Sequence, residues 1–175
     1  VAADLAPEMV ATATSEYDGL EGAVTDAERL PFATDSFDVV TCRFAAHHFP
    51  DPEAFLSEVE RILAPGGVLA LEDLCVPADP DLAAHVNRIE RLRDSSHVET
   101  YSRAQWRDWI TGAGLTVETA HETSRRLEAD AWLDRMDCRP TVGGRSERCW
   151  RTRRQRSRSP SSSNTNPTAT AKESA

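Results

Sequence analysis

The sequence predicts an α/β fold with a doubly wound, mostly parallel sheet. Short apolar segments alternate along the chain with amphipathic segments of roughly 10–15 residues, a pattern typical of βαβ units. Segment 37–44 is mostly apolar and rich in residues that favour strands, as in strands covered on both faces. Gly and Pro residues separate the segments where the chain must turn.

The first predicted elements are short. Residues 1–4 are expected to form the end of an apolar strand, and a helix is expected from Pro7 to about Ser15. Pro in a first turn followed by an early Glu is a helix-start signal. A second short strand is expected over 20–25 and a turn-rich loop over 26–36, before the strand at 37–44.

The clearest helix of the sequence begins at Asp51 or Pro52 and continues to about Leu63. Its apolar residues recur at helical spacing. Pro65-Gly66-Gly67 is expected to form the turn that ends it, and a strand is expected over 68–74. The apolar positions of this helix are Phe55, Leu56, Val59, Ile62 and Leu63.

Further elements are expected toward the C-terminal part. Helices are predicted over 80–94 and over 102–111, the second with Ser102 as its N-terminal cap. A strand is predicted over 115–120 and a short helix over 129–136. The alternation of strands and helices stops after residue 138.

The charge distribution divides the chain at the same point. In residues 1–138, 11 Arg against 27 Asp and Glu give a net charge of −16, whereas residues 139–175 carry +7. The second segment has too few apolar side chains to offset the entropy cost of ordering. We therefore predict a partial domain over 1–138 and a disordered Arg/Ser-rich tail over 139–175. A basic arm that binds nucleic acid is the alternative for the tail.

Composition excludes several classes of protein. The acidic surface of 1–138 argues against nucleic acid as a partner of that part. No apolar run approaches the roughly 20 residues of a membrane-spanning helix, and no secretory signal is visible, so we expect no membrane partner. The four cysteines lack the spacing of metal sites and fit reduced thiols, so we expect a cytoplasmic protein without a metal.

Polar residues follow the first three predicted strands, at the sheet edge where doubly wound folds bind ligands. Asp4 ends the first strand, and its carboxylate can accept hydrogen bonds from both hydroxyls of a ribose. Asp26 follows the second strand and can accept a hydrogen bond from the amine of an adenine. An N-terminal cap for Asp4 and an Asx turn for Asp26 remain the structural alternatives.

Four motifs occur in order and at close spacing. They are Asp4-Leu5-Ala6-Pro7-Glu8-Met9, Thr25-Asp26-Ala27-Glu28-Arg29-Leu30-Pro31-Phe32, Asp35-Ser36-Phe37-Asp38-Val39-Val40 and Leu63-Ala64-Pro65-Gly66-Gly67. Together they resemble the class I S-adenosylmethionine-dependent methyltransferases, which have a Rossmann-like fold, and most of all the branch that includes the ubiquinone and menaquinone biosynthesis enzymes. The resemblance covers about residues 1–136.

The resemblance implies a role for individual residues. S-adenosylmethionine is the implied cofactor, and a small molecule is the implied methyl acceptor. Asp4 matches the acid that holds the ribose, Met9 a side chain packed against the adenine, and Asp26 with Ala27 the groups that contact the adenine edge. Arg43 and Phe44 match the segment beside the methionine end.

His47 and His48 occupy a segment that faces the acceptor in such enzymes, so they are the implied catalytic residues. An imidazole suits the removal of a proton from a hydroxyl or an acidic carbon. A purely structural role is the alternative for both histidines.

The family pattern also includes a strand with a glycine-rich loop ahead of the segment that matches Val1, and the sequence has no such loop. We therefore expect an incomplete sheet, without this first strand and without the last one, and weak or absent binding of the cofactor. A non-catalytic fragment and a nicotinamide-dependent oxidoreductase of similar topology are the alternative functions. The sequence leaves the acceptor and the oligomeric state open.

Overall fold

The computed structural model describes residues 1–124 together with Arg126, Glu128 and Trp132. Val1–Arg126 form one compact unit, and Leu127–Ala175 are assigned to a second. The fold is therefore described for the first unit alone. Most of the predicted helix over 129–136 and the whole predicted tail over 139–175 lie outside the described residues, so both stay predictions.

Four strands form two parallel pairs. Strand β1 (Ala2–Asp4) pairs with β2 (Gly22–Val24), and β3 (Phe37–Arg43) pairs with β4 (Leu63–Glu72). Within residues 1–124 no hydrogen-bonded ladder joins the two pairs. The prediction of an α/β fold with parallel strands is confirmed, and the described sheet is partial, as the sequence led us to expect.

Each parallel pair is connected by one helix. Helix α1 (Pro7–Glu16) follows β1 and starts with Pro in its first turn, as predicted. Helix α2 (Pro52–Ile62) follows β3, and the Asp51 carboxylate caps it by accepting a hydrogen bond from the Ala54 N–H. A crossover helix is the connection that parallel strands require.

The predicted turn at 65–67 lies inside β4, because the strand begins directly after α2. Phe37 pairs with Leu63 but Val39 with Val68, so the intervening residues form a bulge. Gly66 has φ of 83°, a conformation that favours glycine. A Cβ on Gly67 would lie 2.9 Å from the Ala64 carbonyl oxygen. The two glycines thus permit the bulge.

Helices α3 (Pro80–Arg93) and α4 (Arg103–Gly112) confirm two further predictions. The prediction of a strand over 115–120 is wrong, since this segment pairs with no other strand in the described part of the chain. The Leu115 N–H instead donates to the Ile110 carbonyl, across Gly114 with φ of 88°. The residues that follow α4 therefore begin as a helix C-cap.

The core lies on one face of β3 and β4, where α2 and α4 cover the strands. Leu56 and Val59 of α2 are completely buried there, and Trp106 of α4 packs into the same cluster. Val39 and Val68, on the opposite strand face, are more than half exposed. In the residues described, no helix has the length and apolar character needed to cross a membrane. The remaining members of the core cluster are Cys42, Ala46, Phe55 and Leu63.

Candidate functional site

The two predicted acids lie at the carboxyl ends of the neighbouring strands β1 and β2. Asp4 is in register with Val24, and its carbonyl accepts a 3.0 Å hydrogen bond from the Thr25 N–H. Asp26 is the next residue along the chain. The parallel pairing therefore places both carboxylates at the same edge of the sheet, where doubly wound folds bind their ligands.

Both carboxylates are exposed, and only one oxygen of each accepts a hydrogen bond from the described residues. Asp4 Oδ1 accepts from the Ala6 N–H at 2.8 Å, and Asp26 Oδ1 accepts from the Glu28 N–H at 2.9 Å. The contact of Asp26 is the Asx turn that its structural alternative requires. Asp4 is not the N-terminal cap of α1, because the N-cap residue of that helix is Ala6 and no side chain caps it. The Oδ2 atoms have no hydrogen-bond partner among the described residues, so each acid retains an acceptor for a ligand.

The loop that follows Asp26 is held against α2 by an ion pair. Arg61 donates to the Phe32 carbonyl at 2.8 Å and to the Leu30 carbonyl at 3.0 Å. Glu58 accepts from the Leu30 N–H at 2.7 Å and from Arg61 at 2.8 Å. The Arg61 guanidinium holds the pKa of Glu58 below its usual range. This pair fixes the loop that positions Asp26.

A cavity of about 520 Å³ opens beside this loop. It is lined by Asp26, Glu28, Arg29 and Ala54. Glu28 also accepts from the Asp51 N–H at 2.7 Å, which connects the loop to the start of α2.

We predict that Arg61→Met loosens the loop that positions Asp26. Without the guanidinium, Glu58 no longer has a fixed orientation for the Leu30 N–H, so exchange of that amide accelerates roughly tenfold. Because the pKa of Glu58 is lowered in the fold, this protection is present above the ordinary Glu pKa. It is lost as the pH falls through the lowered pKa. Hydrogen exchange followed by NMR, corrected for intrinsic rates, measures both effects.

The matched control for this prediction is Arg88→Met, which removes an exposed arginine of α3. It should leave the exchange of the Leu30 amide unchanged. Equal exchange rates in the two variants would contradict the proposed role of the ion pair.

Arg43 and Phe44 lie at the carboxyl end of β3. Phe44 has φ of 49°, an uncommon conformation for a bulky residue, and its N–H donates to the Glu72 carbonyl at 2.8 Å. The Arg43 guanidinium lies 4.8 Å from the Phe44 ring centroid and donates to the Glu72 carboxylate at 2.7 Å. A strained backbone at a strand end is a frequent feature of ligand sites.

His47 lies in a short 3-10 helix (Ala46–His48) and is paired with a buried acid. Its Nδ1 is 2.6 Å from Asp73 Oδ1, and its backbone N–H donates to Asp73 Oδ2 at 2.8 Å. The Leu74 N–H also donates to Asp73 Oδ1, at 2.7 Å. The two side chains are only 9% and 3% exposed. Asp73 follows β4 directly, and sequence analysis did not single it out.

The contact with Asp73 decides what the imidazole of His47 can do. The carboxylate accepts at Nδ1, so the proton of a neutral His47 lies there and Nε2 carries the lone pair. Nε2 makes no hydrogen bond to any residue that the structure describes. This arrangement of acid and imidazole is the one that orients a histidine for proton abstraction.

His48 and His97 surround this pair. The rings of His47 and His48 have centroids 4.1 Å apart, and His48 Nδ1 lies 3.0 Å from the Ser96 carbonyl oxygen. The His97 ring is 5.5 Å from that of His47, and burial together with the nearby His47 lowers the pKa of His97. In the described ranges no three side chains are grouped as metal ligands.

The structure brings the predicted residues together in two groups. Asp4 and Asp26 lie at the end of the β1–β2 pair, whereas the residues from 43 to 48 lie at the end of the β3–β4 pair. Ala27, in the loop after β2, packs against the core cluster. Met9 lies on α1 and is 47% exposed, and thus available to a ligand rather than to the core.

Comparison with known proteins gives a consistent result. Residues 1–71 match the family described as methyltransferase domain. The chain is 37% identical over 140 residues to the methyltransferase YcgJ of Bacillus subtilis, whose own activity is uncharacterized, across 77% of this chain and 55% of that one. The crystal structure of YcgJ superposes with a TM-score of 0.72 and 36% identity, covering 78% of this chain and 61% of YcgJ.

A second relative has a named activity. The demethylmenaquinone methyltransferase of Chlorobaculum parvum is 38% identical over 77 residues, which cover 44% of this chain and 32% of that enzyme. The chain spans about half the length of two of the curated relatives that it matches. The family match over residues 1–71 includes the candidate residues from Asp4 to His48.

Proposed function

Because the chain belongs to the class I S-adenosylmethionine-dependent methyltransferases, in the branch of the ubiquinone and menaquinone biosynthesis enzymes, we propose that the protein methylates a small-molecule acceptor from S-adenosylmethionine. The observation that carries the proposal is the pair of exposed carboxylates, Asp4 and Asp26, at the ends of adjacent parallel strands. Membership of this family decides against the oxidoreductase alternative.

The residues at the end of the β1–β2 pair fit the nucleoside part of this cofactor. Asp4 Oδ2 would accept from the ribose hydroxyls, since a carboxylate is suited to two adjacent donors. Asp26 Oδ2 would accept from the adenine amine, beside the cavity of about 520 Å³. Ala27 would offer its backbone N–H to the adenine edge, and Met9 an apolar contact. The bound cofactor supplies an electrophilic methyl group.

The second group fits the reacting end. Arg43 and Phe44 would line the space beside the methionine part of the cofactor, held there by the Glu72 contacts. His47 Nε2 takes the proton of an acceptor hydroxyl, and the Asp73 carboxylate stabilises the imidazolium that results. The ring of His48, which lies next to that of His47, contacts the acceptor as well. An acceptor hydroxyl is the group for which such a base is most useful.

The setting of this reaction follows from the same residues. A small molecule is the proposed partner, and a cytoplasmic location is proposed because Cys42 and Cys75 are free thiols. We propose no nucleic-acid partner for residues 1–138, whose net charge is strongly negative.

We expect Asp4→Asn to weaken the binding of S-adenosylhomocysteine by the full chain roughly tenfold or more. The change replaces a charged acceptor by a neutral amide that also presents two donors to the ribose hydroxyls. Titration followed by saturation-transfer NMR detects even weak binding. Asp18→Asn, an exposed acid in the turn after α1, is the control and should bind like the unmodified chain.

Equal affinity of the Asp4→Asn variant and the unmodified chain would contradict the proposed cofactor site. Absence of any detectable binding by the unmodified chain would contradict the proposed function of this chain as a whole.

A further inference from the structure

One segment between α3 and α4 contacts both candidate histidines. The His47 carbonyl accepts from the Val98 N–H at 3.0 Å and from the Glu99 N–H at 3.1 Å. The ring of His48 donates from Nδ1 to the Ser96 carbonyl oxygen at 3.0 Å, since a carbonyl can only accept. This segment therefore fixes the backbone of one histidine and the ring of the other.

His47 is thus held from two sides. On one side its ring and its backbone N–H donate to the Asp73 carboxylate, and on the other its carbonyl is held by segment 96–100. A functional side chain must stay within about 0.5 Å of its productive position, so both supports are needed. Whatever fixes the segment therefore also fixes the candidate base.

The side chain that fixes the segment is Asn87 of α3. It is only 1% exposed. Its Oδ1 accepts from the Thr100 N–H at 2.7 Å, and its Nδ2 donates to the Thr100 carbonyl at 3.0 Å. Because an N–H can only donate and a carbonyl can only accept, these two contacts leave one orientation for the amide.

The orientation of this amide assigns the proton of His97. The Nε2 atom of His97 is 2.9 Å from Asn87 Oδ1, which can only accept, so Nε2 carries a proton. The ring is buried, and its centroid lies 5.5 Å from that of His47. Burial, together with the nearby His47, lowers the pKa of His97, so the ring is neutral at neutral pH. Asn87 therefore holds an uncharged ring beside the candidate base.

The Asn87 amide is fully engaged in these contacts. Oδ1 accepts from two donors, and Nδ2 donates to the Thr100 carbonyl and, at 3.3 Å, to Glu99 Oε1. Arg91, one turn further along α3, also donates to the Val98 carbonyl at 2.8 Å, but its side chain is half exposed. A buried and fully engaged polar network is costly to break, whereas an exposed contact contributes little. Asn87 is therefore the main contact that fixes the segment.

We propose that Asn87 is a positioning residue for His47. It holds His97 and Thr100, and the two N–H groups that lie between them bind the His47 carbonyl. The proposal rests on the proposed function, in which His47 removes the proton of the acceptor. Loss of the Asn87 amide lets segment 96–100 shift, so that His47 keeps only its contact with Asp73.

The first test compares Asn87→Ala with the unmodified full chain by NMR, without cofactor or acceptor. We expect the Val98 and Glu99 amides to exchange roughly tenfold faster, after correction for intrinsic rates. The Nδ1 proton of His47, which lies in the hydrogen bond to Asp73, should exchange with water faster by a similar factor.

The control is Asp79→Ala, which removes the N-cap of the same helix. The Asp79 carboxylate accepts from the Asp81 and Leu82 N–H groups and makes none of the contacts of Asn87. This variant should lower the melting temperature, as loss of a cap does, but leave the exchange of the His47 ring proton unchanged. It therefore separates loss of helix stability from loss of position.

A second pair of variants tests the same network at His97. His97→Leu removes the donor to Asn87 Oδ1, whereas His97→Gln places a neutral amide N–H at the same number of bonds from Cβ. We expect the leucine variant to accelerate the exchange of the His47 ring proton, and the glutamine variant to keep the rate of the unmodified chain. Both variants retain Asn87, so they test its role also where Asn87→Ala does not fold.

An unchanged exchange rate of the His47 ring proton in folded Asn87→Ala would overturn the proposal, and so would equal rates in the two His97 variants. Both measurements are made without cofactor or acceptor. The proposed function fails on a different result, which is the absence of S-adenosylhomocysteine binding by the unmodified chain, so the two failures are distinguishable.

Discussion

Replacing Leu56 by alanine is expected to lower the free energy of unfolding by about 3–4 kcal/mol. Leu56 is completely buried in α2 and packs in the cluster that joins this helix to β3, β4 and α4. Removing its branched end loses transfer free energy and leaves a cavity, a combination that costs about 2–5 kcal/mol for Leu. A domain of ordinary stability, with about 5–15 kcal/mol in total, would lose a large part of it.

Urea denaturation followed by tryptophan fluorescence measures this effect, because Trp106 belongs to the same cluster. The matched control is Leu92→Ala, since Leu92 of α3 is 76% exposed and the same atoms are deleted. Its change should stay within about 0.5 kcal/mol. Similar losses in the two variants would show that α2 does not hold the core together in this way.

Leu56 also illustrates why this part of the fold was predictable. The apolar spacing in α2, its Pro in the first turn and the cap at Asp51 are all local signals, and the helix occurs almost where they place it. The positions of Asp4 and Asp26 at the ends of strands were predictable for the same reason, whereas their role as cofactor ligands stays a prediction. Asp4 is the last residue of β1, and Asp26 lies two residues after the end of β2, so only the ends of these two strands had to be identified.

The partner of His47 was not predictable in this way. His47 and Asp73 are 26 residues apart, and they meet because Arg43 of β3 is in register with Glu72 of β4. This register depends on a bulge at 63–67, where the sequence predicted a turn. The available signal was that Asp73 is an acid directly after a strand. This signal identifies a partner of His47 only when the pairing of β3 with β4 is known, and the sequence does not give that pairing.

The strand predicted over 115–120 failed for a related reason. The residues have a suitable apolar pattern, yet a strand exists only where another strand pairs with it. In the residues that the structure describes, none pairs with this segment, and Leu115 completes the end of α4 instead. The local sequence pattern thus accounts for the helices and for the ends of the strands. Whether an apolar segment forms a strand at all depends on the presence of another strand to pair with.

Asp73→Ala is the second change for which we expect a large effect. The side chain of Asp73 is only 3% exposed. Its carboxylate accepts hydrogen bonds from the His47 ring, the His47 N–H and the Leu74 N–H. Alanine leaves these three donors unsatisfied at the site. We expect a loss of about 2–4 kcal/mol in the free energy of unfolding, measured by urea denaturation.

Asp73→Asn separates the chemical role of this residue from its structural one. Asparagine has nearly the same shape, but its amide nitrogen can face His47 Nδ1 and donate to it. The proton of the neutral ring then moves to Nε2, which can no longer accept a proton from the acceptor. Long-range ¹H–¹⁵N NMR should show Nδ1–H in the unmodified chain and Nε2–H in the variant.

The same variant makes a kinetic prediction for the proposed reaction. If His47 removes the proton of the acceptor hydroxyl, its wrong tautomer should lower kcat by about 10²–10⁴-fold. KM for S-adenosylmethionine should stay nearly unchanged, because Asp4 and Asp26 lie on the other pair of strands. Glu72→Gln, which alters the exposed neighbour of Asp73, should retain the tautomer.

A purely structural role for Asp73 would give a different set of results. The free energy of unfolding would fall in both Asp73 variants. In Asp73→Asn, however, a change in the tautomer of His47 would not be accompanied by a fall in kcat. A shifted tautomer with an unchanged kcat would reject His47 as the base and leave His48 as the candidate, since the His48 ring lies next to that of His47 and is the less buried of the two. The joint readout therefore decides between the two histidines, which sequence motifs alone leave equivalent.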